Sequence, residues 1–151
     1  MGKAEKFLEG IKFPCFIESA KFYIDKDNDR KVRVDVVLTV TEKVSAFIPG
    51  NMWTTASSMA DNKVEKVVFA EEFEERFVEL FADEQAVAPA ITAEDVTVKK
   101  VRLECDVEAN LVTLHFSFVG DDKKIGTWIH DNYGRDAFIN VLAMQGELAG
   151  L

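Results

Sequence analysis

Two histidines, His115 and His130, are the side chains of this 151-residue chain best suited to move a proton near neutral pH. A general base needs a positioned partner, and His130 stands in the richest neighbourhood on offer. Trp128 precedes it, and Asp131, Tyr133, Arg135 and Asp136 follow. A carboxylate, a phenol and a guanidinium beside an imidazole are the parts of an acid–base site. His115 lies on the polar side of an alternating stretch, near Ser117. Neither histidine belongs to a local motif, and isolated histidines are first of all structural or surface residues, so no catalytic residue is assigned. Trp53, Trp128, His130, Asp131, Tyr133 and Arg135 are instead carried forward as the lining of an aromatic ligand pocket, or as an alternative active site.

Other constellations fall short of their chemistry. Asp25, Asp27 and Asp29 have the spacing that opens a calcium loop, where alternate carboxylates converge on one hard cation. The sixth position, which must turn sharply, is Arg30, and the twelfth, which supplies a bidentate ligand, is Val36. An acidic hairpin turn is the better reading. Gly120, Gly126 and Gly134 form no phosphate loop, and no serine sits in a nucleophile elbow. Cys15 and Cys105 belong to no CxxC pair and read as buried thiols; a disulfide between them would need them to face each other on paired strands. No metal and no cofactor is expected.

The formal charge is −9, from 18 basic and 27 acidic residues, which disfavours direct nucleic-acid binding because phosphate would be repelled. The acid is concentrated. Residues 70–84 hold Glu71, Glu72, Glu74, Glu75, Glu79, Asp83 and Glu84 against Arg76 alone, a net of −6 that leaves −3 for the rest. Glu71, Glu72, Glu74, Glu75 and Glu79 are the candidate docking strip for a basic protein partner, with a merely solvated face as the plainer reading. No run approaches the roughly 18 apolar residues of a membrane span, and the N-terminus lacks an apolar signal core and a myristoylation pattern. A cytoplasmic, soluble protein is expected.

The elements that would hold these residues follow from periodicity. Val32, Val34, Val36, Leu38 and Val40 alternate with polar residues, as do Val112, Leu114, Phe116 and Phe118. Each run follows another alternating run across a polar turn, which predicts two β-hairpins, about 16–40 and 96–119. Val96 and Val98 are out of step with Val101, Leu103 and Cys105, which predicts a bulge near Lys99–Lys100. Phe69, Phe73, Phe77, Leu80 and Phe81 recur at helical spacing and predict an acidic amphipathic helix over about 70–83. Residues 3–9 read as a short helix, 45–62 as a loop or loose helix, 84–95 as a linker and 125–129 as a short strand. A last helix is expected from Asn132 or Asp136 to about Gln145. The expected fold is therefore one α+β domain, a mostly antiparallel sheet covered by two helices, in its most specific form a curved half-barrel holding a helix.

Function is less constrained. The leading expectation is a non-enzymatic binding or regulatory protein acting through a protein partner or self-association, in the manner of small bacterial or phage accessory or inhibitor proteins. A small-ligand pocket between sheet and helices is the second reading. An enzyme built on residues 128–136 is the third.

Overall fold

The structure is a computed structural model and describes residues 6–143. Its first unit is the hairpin of β1 (Phe13–Ile24) and β2 (Arg30–Thr39), antiparallel with Phe22 opposite Val32. The acidic turn makes this hairpin. One Asp25 carboxylate oxygen accepts the backbone N–H of both Asp27 and Asp29 at 2.9 Å, and Asn28 takes the left-handed conformation that asparagine tolerates. Val32, Val34, Val36 and Leu38 all point inward and are buried. Their neighbours on the next strand, β6 (Leu111–Asp121), continue that face, with Val34 opposite Phe118, Val36 opposite Phe116 and Leu38 opposite Leu114.

The sheet does not end there. β6 also pairs with the long β5 (Ile91–Asp106), β5 with β4 (Phe73–Phe81), β4 with β7 (Asp136–Ala143), and β7 with the start of β1. Six antiparallel strands thus close on themselves, and a short β3 (Lys66–Val68) is added outside the ring against β5. Bulges let β5 bend around this small circle. One lies at the expected place: Lys99 faces Ser117 and Arg102 faces His115, so β5 holds an extra residue there, and Lys100 has φ of 56°.

Side chains and short helical pieces fill the barrel. Between β2 and β3 the chain forms α1 (Glu42–Ser45) and α2 (Gly50–Ser58), which bury Val44, Met52 and Ala56. The N-terminal segment adds Phe7 and Leu8; the Phe7 ring stacks on Phe73 at 4.4 Å and meets Phe116 edge-on at 5.2 Å. At the opposite end, a π-helical turn (Asp122–Gly126) and α3 (Thr127–Asn132) join β6 to β7 and bury Ile125 and Ile129. Because β2 leaves at one end and β6 at the other, the two stoppers close opposite mouths.

This architecture corrects the sequence-based expectation of an α+β sheet covered by two helices: the fold is a closed antiparallel β-barrel. The 70–83 segment is mainly strand β4. A bulge displaces its alternation, with register shifts between Phe73 and Arg76 and again before Val78, and Glu75 at φ of 56°. Phe73, Arg76, Val78 and Leu80 therefore point inward, Phe77 takes the other face, and apolar residues on both faces of the bulged strand imitate helical spacing. The expected C-terminal helix is strand β7, in which Ala137, Ile139 and Val141 are buried. Its outer residues Phe138 and Leu142 are also apolar and partly covered, so their four-residue spacing fits either period. The end of that expected helix, near Gln145, lies outside the described residues. Residues 125–129 are helical rather than a strand, with Ile125 and Ile129 one turn apart. Residues 6–9 of the expected first helix are not helical, and 91–95 of the expected linker belong to β5.

Candidate functional site

The two tryptophans do not share a pocket wall. Trp53 stands on α2 and Trp128 on α3, at opposite mouths of the barrel, each partly buried against the core. The 128–136 residues form the end of α3 and the turn into β7. His130 Nδ1 lies 3.3 Å from an Asp131 carboxylate oxygen, but both side chains are about two-thirds exposed. The Tyr133 and His130 rings meet edge-on with centroids 6.3 Å apart, and the Tyr133 and Arg135 side chains are exposed. The group is thus a surface cluster, not a cleft.

The acidic candidates lie on and before a strand. Glu71 accepts a hydrogen bond from the Asn51 side chain at 3.1 Å, and Glu79 accepts one from Asn140 at 3.3 Å on the outer face. Glu72, Glu74 and Glu75 are exposed. Arg76, the one base in this stretch, is fully buried over the Phe73 ring. The negative charge therefore faces outward while its nearest sequence counter-charge faces inward.

The most tightly built polar cluster sits on the outer wall, across β1, β2, β6 and β5. His115 is 7% exposed and Ser117 3%. An Arg102 N–H lies 3.3 Å from His115 Nδ1, and guanidinium only donates, so Nδ1 is the bare nitrogen. Nε2 then carries the proton and donates to the Thr113 hydroxyl at 2.9 Å. Arg102 Nε donates to Glu104 at 2.6 Å, which holds the Glu104 carboxyl below its usual range. Burial, and then the Arg102 charge, hold the His115 imidazole below its ordinary value, so it is neutral at pH 7. Nearby, Ser19 donates to Asp35 at 2.6 Å, and Arg33 pairs with the same carboxylate at 3.4 Å. Arg33, Asp35, Arg102, His115 and Ser117, with Glu18 and Lys100, line a groove of about 190 Å³. Both imidazole nitrogens are engaged, which makes His115 a holder of Arg102 rather than a free base. The sequence placed Arg33, Asp35, Thr113, His115 and Ser117 on polar strand faces; which strands adjoin was the missing information.

A second feature escapes sequence reasoning altogether. β1 pairs with β7 only over Phe13–Phe16, and Ile17 then exchanges backbone hydrogen bonds with Arg135 and Gly134. Past Ile17, among the described residues, no strand pairs with that edge of β1. Asp25 N donates across the hairpin to Asp29, so alternation turns the backbone groups of Ala20, Phe22 and Ile24 outward. Large apolar side chains cluster here: Phe22 is 40% exposed, Tyr23 37%, Ile24 62% and the nearby Tyr133 49%. The Phe22 ring also approaches His130, at 6.2 Å between centroids.

Cys15 and Cys105 are buried free thiols, on strands that are not neighbours in the ring. Burial, with a smaller contribution from Asp136, pushes the Cys15 thiol up to about 12. Among the described residues no group of three or more metal-ligating side chains occurs, and no helix is long and apolar enough to cross a membrane. No protein-family model, curated protein or solved structure matches the chain.

Proposed function

We propose that this protein is a non-enzymatic binding protein that acts through protein contacts, with the β1 edge at Ala20–Ile24 as its contact element. The observation that carries this reading is a strand edge left open among the described residues and bordered by exposed Phe22, Tyr23, Ile24 and Tyr133. Unpaired N–H and C=O groups in a row are a template for another strand, and the flanking apolar side chains supply burial when one arrives. The chemically capable residues support the same reading. The His115 cluster spends its hydrogen bonds within itself, and the His130 group is spread over an exposed turn.

The test is a binding comparison between the wild type and Phe22→Ser/Ile24→Lys, with immobilised protein exposed to host lysate and to the purified chain. Loss of specific capture in the double variant, with an unchanged circular dichroism spectrum, is expected. Capture that survives both these substitutions and charge reversal of the Glu71–Glu75 acids, or a wild type and double variant that capture the same proteins equally, overturns the reading. The outward carboxylates of Glu72 and Glu74, beside Glu71 and Glu79 on the same stretch, favour a second surface for a basic partner. Charge reversal at Glu71, Glu72, Glu74 and Glu75 tests it, and unchanged capture removes it.

A further inference from the structure

We infer that the partner of the β1 edge is a second copy of this chain, paired antiparallel across a two-fold axis through Phe22; this rests on the edge being the contact element. The first argument is charge. The molecule carries −9, and two copies repel over most of their surface. The hairpin is not negative. Residues 18–33 contain Glu18, Asp25, Asp27 and Asp29 against Lys21, Lys26, Arg30, Lys31 and Arg33, or −4 + 5 = +1, leaving −10 for the remainder. Two hairpins meet without the repulsion that the other faces would impose.

The second argument is register. An antiparallel pair joins outward residues to outward residues, so Ala20, Phe22 and Ile24 must face one another. With Phe22 opposite Phe22, Ala20 stands opposite Ile24, and about six backbone hydrogen bonds form between the copies. Phe22 and Ile24 of each copy share one face, the face that Tyr133 and His130 border. On the other face Lys21 lies opposite Tyr23, and beyond the strand Glu18 comes level with Lys26. A shift of one pair toward the N-terminus sets Lys21 against Lys21, which like-charge repulsion disfavours. A shift the other way carries Ala20 beyond the partner's strand, opposite Lys26 beside the Asp25–Asp29 turn, and gives up two of those hydrogen bonds. A lysine in an edge strand ordinarily blocks pairing, and this register is the one that gives Lys21 a neutral neighbour and keeps the longest overlap.

The interface is small, so the dimer is expected to be weak and concentration-dependent. Sedimentation velocity of the full chain, from micromolar to millimolar concentration, should show a monomer passing to a dimer. Ile24→Pro removes an outward N–H that makes no bond inside the monomer, so the variant should stay monomeric with an unchanged circular dichroism spectrum. Register is read from single cysteines. Under mild oxidation Phe22→Cys should form a symmetric disulfide dimer at least tenfold faster than Lys21→Cys or Tyr23→Cys, because only its Cα atoms meet on the axis at about 5.5 Å. Cys15 and Cys105 are buried and leave this readout clean. Equal cross-linking at the three positions overturns the register. A wild type that remains monomeric overturns the second-copy partner. If that monomer still captures another protein, and Ile24→Pro abolishes the capture, the edge remains the contact element with a different occupant. If the capture is also insensitive to Ile24→Pro, the reading of the edge falls too.

Discussion

The two long hairpins carry almost the same alternation but meet different fates. β5–β6 is walled in: β6 pairs with β2 beyond it, and β5 pairs with β4 and β3. β1–β2 is covered on the β2 side from Lys31 to Thr39, whereas among the described residues its β1 side has no strand neighbour after Ile17. One hairpin is therefore scaffold on both edges, and the other is scaffold in its first half and open in its second. Alternation decides which face a side chain occupies. It is silent about what lies alongside, and in a barrel that is the difference between core and contact surface.

Paired truncations measure this difference most directly. Phe116 is 2% exposed and packs on Phe7, and Phe116→Ala should cost about 3–5 kcal/mol in urea unfolding through lost burial and a cavity. Phe22 is 40% exposed, and Phe22→Ala at low protein concentration should cost less than about 1 kcal/mol. Equal costs would mean that the open end is structural after all.

The stopper beneath the open end offers a smaller effect. A Cβ on Gly126 would stand 1.7 Å from an Asp122 carboxylate oxygen, with the Phe22 ring 3.5 Å away on another side. Gly126→Ala must push Asp122 aside and weaken its pair with Arg30, at 3.6 Å. A loss of about 1–2 kcal/mol is expected. Asp122→Ala should relieve much of it, so the double variant should be more stable than the two single losses predict. Strict additivity would show that the turn yields elsewhere.

The walled hairpin has its own pH signature. His115 is held below the ordinary imidazole value by burial and then by Arg102. The folded state thus resists a proton that the unfolded chain accepts. The cluster's contribution is complete above the unfolded value and is lost as pH falls through the folded one. His115→Gln should cost about 1 kcal/mol at neutral pH and flatten this acid dependence. A wild type and a variant with parallel stability–pH curves between pH 7 and pH 5 would remove His115 as the cause.

How far the sequence carried the fold depends on whether alternation ran unbroken. Val32–Leu38 and Val112–Phe118 were legible because in each an apolar residue recurs at every second position and all of those are buried, with Val37 alone interrupting the polar face. β4 was not, because a bulge at Glu74–Glu75 moved Arg76 to the inward position where alternation would put Glu75, and Val78 to that of Phe77. β7 was not, because its outer Phe138 and Leu142 hide the polar half of the pattern. With those two strands read as helices, the ring could not close on paper. The candidate site suffered accordingly. The polar partners of His115 come from β5 and β1 as well as from its own strand, and an unpaired edge is a property of the neighbours that a strand lacks.

The smallest predicted effect has the opposite sign and tests the bulge that lets β5 turn. Lys100 occupies the left-handed region at φ of 56°, with its side chain exposed. A non-glycine residue there carries a conformational cost of about 1–2 kcal/mol. Glycine occupies it freely but loses about 0.5–1 kcal/mol more entropy on folding. The balance favours Lys100→Gly by about 0.5 kcal/mol, less whatever its aliphatic stem contributes to the groove wall. Lys100→Pro locks φ on the wrong side and should be strongly destabilising. A series in which glycine is the most stable and proline the least, measured by chemical denaturation, would place the bend of the walled hairpin at Lys100. If glycine is no better than alanine, the bulge relaxes in solution and β5 is held round the barrel by β4 and β6 rather than by its own backbone.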